Sequence, residues 1–315
     1  MIRFTLVRIG EGVLTLLVSS LLVFAALFLS PGDPIAILVG NRTVSPETIT
    51  SLREQYHLDD PFFMRWIGWL GDLLSGDLGR SITYRDDVWN LIQPRLGTTG
   101  LLLALALIAI IVFGVGLGVF AALSGRRLSD VMLALTSVGV AVPSFVAATL
   151  LITVLAVGLG WFPTFGPGDG LGDRLYHLVL PVLALTLSSG SYVTRVTRAA
   201  LREEAQRDPV QTAIGRGLPR GRIVRHHVLR NALTPIATVV AVTLTSLVVG
   251  SIVIEKAFAL DGLGSLLTEA VLRKDFAIVQ AITLLLITFV VAVSLIVDLI
   301  QVSFDPRIRA LVVSR

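Results

Sequence analysis

The chain has 315 residues, of which 54% are hydrophobic and only 15% charged, and its mean hydropathy of +0.83 lies outside what a soluble globular domain can carry with a wet surface. A net charge of +4 does not indicate nucleic acid, because no basic patch is interleaved with aromatics and arginines in a membrane protein serve topology and lipid headgroups. The absence of cysteine excludes disulfides, thiolate chemistry and cysteine-ligated metals.

Arg3 and Arg8 precede a charge-free run from Gly12 to Gly32. That run is long enough to cross a bilayer and longer than the apolar part of a cleaved signal, so it reads as a retained first span with its N-terminus inside. Five further windows lack charge over comparable lengths: Leu101 to Leu123, Val131 to Phe162, Leu175 to Thr194, Ala232 to Ile254 and Phe276 to Val297. Six spans put both termini on one side. The basic residues agree with the cytoplasmic side, since Arg3, Arg8, Arg126, Arg127, the loop from Arg195 to Asn231 and the tail with Arg307, Arg309 and Arg315 hold most of them.

The outer loop, residues 31–100, is too long for a plain connection and should carry structure or meet a partner. Pro-Gly-Asp-Pro at Pro31 sets a turn, and Ser45 before Pro46 resembles a helix start. Phe62, Trp66, Trp69, Leu70 and Leu73 then share one helical face, which suits either a helix lying among lipid headgroups or a stripe packed on the neighbouring spans. An excess of acids over arginines in this loop makes it either a docking surface or a solvated face.

In the second span Gly114, Gly116, Gly118, Ala121 and Ala122 are small enough to let another helix come close. Pro143 and Pro181 should bend or locally open the third and fourth spans, and with Ser144, Ser188 and Ser191 they are candidates for a gate or path. The third window exceeds a bilayer and should end in an interfacial anchor at Trp161 and Phe162.

Catalytic patterns are missing. His57, His177, His226 and His227 have no zinc spacing, and the serines of the fourth span have no Gly-x-Ser-x-Gly elbow. An ion-coupled secondary carrier is the rival of another class, but such carriers place ionisable groups deep in the membrane. Here Glu255 and Asp298 lie near span ends, as capping or helix-pairing groups. Nor is there a phosphate-binding Gly-x-x-x-x-Gly-Lys loop, so the chain has no ATP site of its own.

The loop of residues 195–231 is the remaining candidate. Gln211-Thr212-Ala213-Ile214-Gly215-Arg216-Gly217 fits the spacing Glu-Ala-Ala-x-x-x-Gly, with Gln211 and Thr212 in place of the Glu and first Ala, and Leu218-Pro219 breaks the chain after it. This resembles the signature of ABC importer permeases. The close His227-Val228-Leu229-Arg230-Asn231-Ala232-Leu233-Thr234-Pro235 resembles the dipeptide, oligopeptide and nickel permeases in particular. So do Leu58 to Pro61, Gly76 to Ser81, Val142 to Phe145, Leu159 to Pro163, Thr194 to Arg198, Glu255 to Gly264 and Asp305 to Arg309, in that order along the chain. The match is to the first of that family's two permease subunits.

The resemblance implies an all-α polytopic membrane protein: one permease domain over residues 1–315, six transmembrane helices of the ABC importer type, an outer loop between helices 1 and 2, and a coupling loop between helices 4 and 5. It implies a second homologous permease, two cytoplasmic ATPase subunits that bind ATP and Mg, an outer substrate-binding protein, and membrane lipid around the spans. No cofactor or metal belongs to this chain. Gln211 to Leu218 would insert into an ATPase groove, supported by Arg225, His226, Arg230 and Asn231. The cargo would be di- or oligopeptides, with nickel or another small solute as the alternative, and the location a bacterial inner membrane.

Overall fold

The computed structural model describes residues 2–29, 45–47, 50 and 60–304, and in this range the chain is almost wholly helical. The turn expected at Pro31 and the terminal motif at Asp305 lie outside the described residues, whereas at the expected helix start Ser45 is non-helical and Pro46 and Glu47 are helical. Helix α1 is Ile2–Phe28 and α2 is Phe62–Ser75. Next, α3 (Val88–Ala109) runs through a π-helical stretch, Ile110–Val115, into α4 (Gly116–Leu123). Helix α5 is Arg126–Ala141, and α6 (Ser144–Leu151) ends in a second π-helical stretch, Ile152–Gly158. Helix α7 (Gly170–His177) leads into α8 (Val179–Gln206), followed by α9 (Asp208–Gly215) and the single turn α10 (Arg220–Ile223). A third π-helical stretch, Val224–Leu229, opens α11 (Arg230–Ala257), and α12 (Leu263–Leu272) and α13 (Phe276–Phe304) complete the chain.

Among the described residues five helical segments are long and apolar enough to cross a membrane, and the count is six if the pair of α5 and α6 with its π-helical end, bent by 99°, is taken as one broken span. The sequence window from Val131 to Phe162 is therefore not one straight span. Pro143 supplies no N–H to continue the ladder and forces Val142 into an extended conformation (ψ 116°), so the helix ends and restarts. Trp161 is exposed, whereas Phe162 is half-buried with its ring 5.6 Å from that of Tyr176.

Helix α8 is the central buttress, packed against α3, α4, α5, α6 and α11. Small residues set its closest approaches. A Cβ on Gly118 would lie 2.6 Å from Cβ of Thr197, and one on Gly114 would lie 3.1 Å from the Gly190 carbonyl oxygen. Gly116 points into open space, so it is not part of this contact. The motif Thr194 to Arg198 is what α8 presents to its neighbours. Thr194 Oγ1 lies within hydrogen-bond reach of two carbonyls, Gly190 of its own helix (2.9 Å) and Gly114 in the π-helical stretch (3.0 Å), and its one proton is shared between them. Arg198 Nε donates to Ser129 Oγ of α5 (2.6 Å). Helix α1 pairs with α13 at the edge, where Arg8 bridges to Asp298 (3.2 Å) and to Glu11 (2.8 Å). Asp298 thus acts as a helix-pairing group.

Candidate functional site

Two polar constructions sit at opposite ends of the bundle. The first is the candidate coupling loop. Pro209 at the start of α9 fixes φ where the backbone N–H has no intrahelical partner, so a short helix begins cheaply. It ends in a complete Schellman turn: Gly217 N–H donates to Ile214 O (2.9 Å), Leu218 N–H donates to Ala213 O (3.2 Å), and Gly217 sits at φ +72°. An L side chain at that φ is strained, which is the physical reason for a glycine here. Ala213 and Val210 are buried and Leu218 packs against them, so this side holds the helix to its own chain.

Gln211, Thr212, Ile214, Gly215, Arg216 and Gly217 face outward, as do Arg225, His226, Arg230 and Asn231 further on. The structure thus places ten of the twelve coupling-loop candidates on an exposed surface and uses Ala213 and Leu218 as anchors. Behind α9 lies a cavity of about 390 Å³ lined by Leu123, Leu201, Val210, Ile214, Leu218 and Val228 among others.

The gate candidates are not gathered into one site. Pro143 and Ser144 stand at the α5–α6 break, Pro181 is buried in the first turn of α8, and Ser188 and Ser191 are half-buried further along α8. Ser191 packs against Gly139 of α5, where no Cβ would fit. Pro181 does not kink a continuous helix. The ladder is interrupted at Leu178, between α7 and α8, so the missing N–H falls at a helix start.

The second construction is a knot at the end of α11 that no motif search singled out as functional. Glu255 is fully buried, and its carboxylate accepts hydrogen bonds from Thr99 Oγ1 (2.7 Å), Gly264 N–H (2.7 Å) and Ser265 N–H (3.2 Å). Thr99 Oγ1 in turn accepts from Leu263 N–H (2.8 Å). The first three N–H groups of α12 are thereby capped by side chains of two other helices, with a carboxylate at the positive end of the helix dipole. Gly262 and Gly264 are required by space: a Cβ on the first would strike the Glu255 carboxylate, and one on the second would come 2.5 Å from Ile252 Cα.

Around this knot the segment 76–87 is stitched to α12. Ser81 Oγ donates to the buried Asp275 Oδ2 (2.6 Å), and Thr83 N–H donates to the same oxygen (2.9 Å). Arg95 bridges to Asp261 (2.8 Å). The Tyr84 hydroxyl donates to Glu269 Oε2 (3.0 Å), and burial together with that carboxylate raises the phenol above its ordinary range. Thus the motif Gly76 to Ser81 reaches Asp275 through Ser81, while the motif Glu255 to Gly264 closes on itself and on Thr99. Their signal in sequence was the glycine spacing beside an isolated acid, but the partners lie too far apart in the chain to be paired by inspection.

Comparison with known proteins agrees with this layout. The chain is 33% identical over 311 residues to the oligopeptide transport system permease protein OppB of Escherichia coli (strain K12), covering 98% of this chain and all of that protein (100%). It is also 33% identical over 297 residues to the oligopeptide transport system permease protein AppB of Bacillus subtilis (strain 168), covering 92% of this chain and 94% of that one. In fold it is similar to a chain of the MetNI methionine ABC transporter solved in inward-facing conformations, with a TM-score of 0.58 at 18% identity over 68% of this chain and 96% of that chain. Residues 1–106 match the N-terminal part of a family of binding-protein-dependent transport system membrane components. With residues 114–310 matching the family's main region, the chain belongs to the binding-protein-dependent transport system inner membrane components.

Proposed function

We propose that this chain is one of two permease subunits of an ATP-driven importer of di- or oligopeptides, with both termini on the cytoplasmic side of a bacterial inner membrane. The observation that carries the mechanism is α9: a short helix closed by a Schellman turn, turning six consecutive-region residues outward from Gln211 to Gly217 while Ala213 and Leu218 hold it down. Such a helix suits a groove on a cytoplasmic ATPase, and its rigid cap would let a push from outside reach α8 and α11. ATP and Mg would be held by the ATPase partners, and this chain would hydrolyse nothing. In physical terms, closure of the ATPases on ATP and docking of a loaded binding protein on the opposite face would both favour the same packing of the two permeases. The peptide cargo is inferred from relatives that match along nearly the whole chain and are named for oligopeptide transport.

Reconstitution tests this. Liposomes containing this chain alone should show no peptide uptake under an ion gradient. Adding the second permease, both ATPases and the binding protein should give ATP-dependent uptake of a short labelled peptide. Uptake by the chain alone would establish an ion-coupled carrier instead, and ATP-driven uptake of nickel without peptide would reassign the cargo.

A further inference from the structure

The inference concerns α2, and it stands apart from the coupling and cargo readings above. We infer that α2 lies along the membrane surface at the end of the bundle away from α9, with a face made of Phe63, Ile67 and Leu74 in direct contact with lipid.

Its orientation follows from its contacts with α1. The rings of Phe62 and Trp69, seven residues apart on α2, both reach a single residue of α1: their centroids lie 5.4 and 5.9 Å from that of Phe24. Between them, Trp66 Nε1 donates to Ser20 Oγ (3.3 Å), one turn back along α1 and further into the span. A helix running alongside α1 would meet residues spread along it. Convergence on Phe24 means that α2 crosses α1 steeply, near the end of the span from Phe4 to Ala26. A helix that crosses a membrane-spanning helix steeply runs near the membrane plane.

At about 100° per residue the side chains of α2 fall into three sectors. Phe62, Trp66, Trp69 and Leu73 form the sector against α1, half-buried in each case. The helix's two charged residues, Arg65 and Asp72, lie with Gly68 and Ser75 in a second sector. Phe63, Ile67 and Leu74 form the third, at 64%, 62% and 87% exposure, separated from the charged sector by roughly 150°. Trp66, which points inward along α1, is the member of the α1 sector nearest this apolar one, so the apolar sector is the one turned toward the bilayer interior and the charged sector the one turned toward water.

The helix that α2 crosses is itself an apolar span that is largely open along its length, with Leu14, Leu17, Val18 and Leu22 exposed. Three sectors facing protein, hydrocarbon and water are what a helix at a bilayer interface requires, with bulky apolar side chains inserted at the boundary of the acyl chains. The aromatic stripe visible in the sequence is therefore the seam to α1, and the lipid face is its neighbour on the helix.

The chain contains no cysteine, so single nitroxide labels report cleanly. The complex, with this chain carrying Ile67→Cys, Leu74→Cys or Asp72→Cys, is reconstituted in phosphatidylcholine nanodiscs, and collision rates with molecular oxygen and with a neutral water-soluble nickel chelate are compared. The oxygen-to-chelate ratio should be severalfold higher at positions 67 and 74 than at 72, and lipids labelled near the headgroup should broaden the first two signals. High chelate accessibility at 67 and 74 would place the face in water and overturn the inference. Low accessibility to both agents would show another protein chain on the face, which overturns it equally.

Discussion

Glu255 ties three helices together through one buried side chain. It occupies the last turn of α11, yet it supplies the cap for α12 and a partner for Thr99 on α3, so three helices meet at one carboxylate. Replacing it with alanine leaves two buried N–H groups and a buried hydroxyl without an acceptor, each costing about 1–3 kcal/mol. Glu255→Ala should therefore lower the detergent-state melting temperature sharply, followed by tryptophan fluorescence, while Glu255→Gln, which keeps an acceptor oxygen, should lose less. Equal losses would mean that the site serves volume and not hydrogen bonding. Little of this was legible in sequence. An acid at a span end with a glycine-rich stretch after it reads as an end-of-helix group, which is correct as far as it goes, but Thr99 is 156 residues away and nothing local points to it.

At the scale of elements, α9 and its turn were readable and the α5–α6 break was only half so. The α9 turn is local chemistry, in which Pro209 starts the helix, Gly217 ends it and Leu218 folds back, all within the reach of one motif. Gly217→Ala forces a Cβ into the left-handed region at a cost of about 1–2 kcal/mol. Gly217→Pro cannot reach φ +72° at all and deletes the bond to Ile214. A graded result is expected, with uptake reduced by the first and abolished by the second while membrane insertion persists. Wild-type uptake and substrate-stimulated ATP hydrolysis in the proline variant would remove the coupling role. For α5 and α6, Pro143 marks where the helix stops. The 99° turn is set by Gly139 packing on Ser191 and by the seat of α6 on α8 and α11, which are contacts between distant segments.

Over the whole molecule, the apolar runs alone were enough to find the spans, because hydrocarbon tolerates backbone only when it is hydrogen-bonded within its own segment. How the spans pack was less accessible. Of three glycines at alternate positions in the second span, Gly114 and Gly118, four residues apart on one face, touch α8, and Gly116 on the other side does not; nothing within the span itself says which of the two sides meets α8. Edge helix α1 is held largely by α13, and the Arg8–Asp298 bridge is its charged clasp. A double-mutant cycle on Arg8→Ala and Asp298→Ala should give a coupling energy of about 1 kcal/mol, and the exchange Arg8→Asp with Asp298→Arg should recover part of the loss of either single reversal in membrane yield. Strict additivity would show that α1 is placed by packing alone.

The Glu255 knot also carries an order of events. A chain made from its N-terminus delivers Thr99 to the membrane long before Glu255 arrives, and Glu255 reaches it nine residues ahead of Gly264. The hydroxyl of α3 is therefore the first partner the carboxylate can find, and the N–H groups of α12 are made only afterwards. The last step in building this end of the protein is then the arrival of the α12 N-terminus at a carboxylate already within reach of Thr99, and a chain stalled after α11 would hold that acid on one hydroxyl alone.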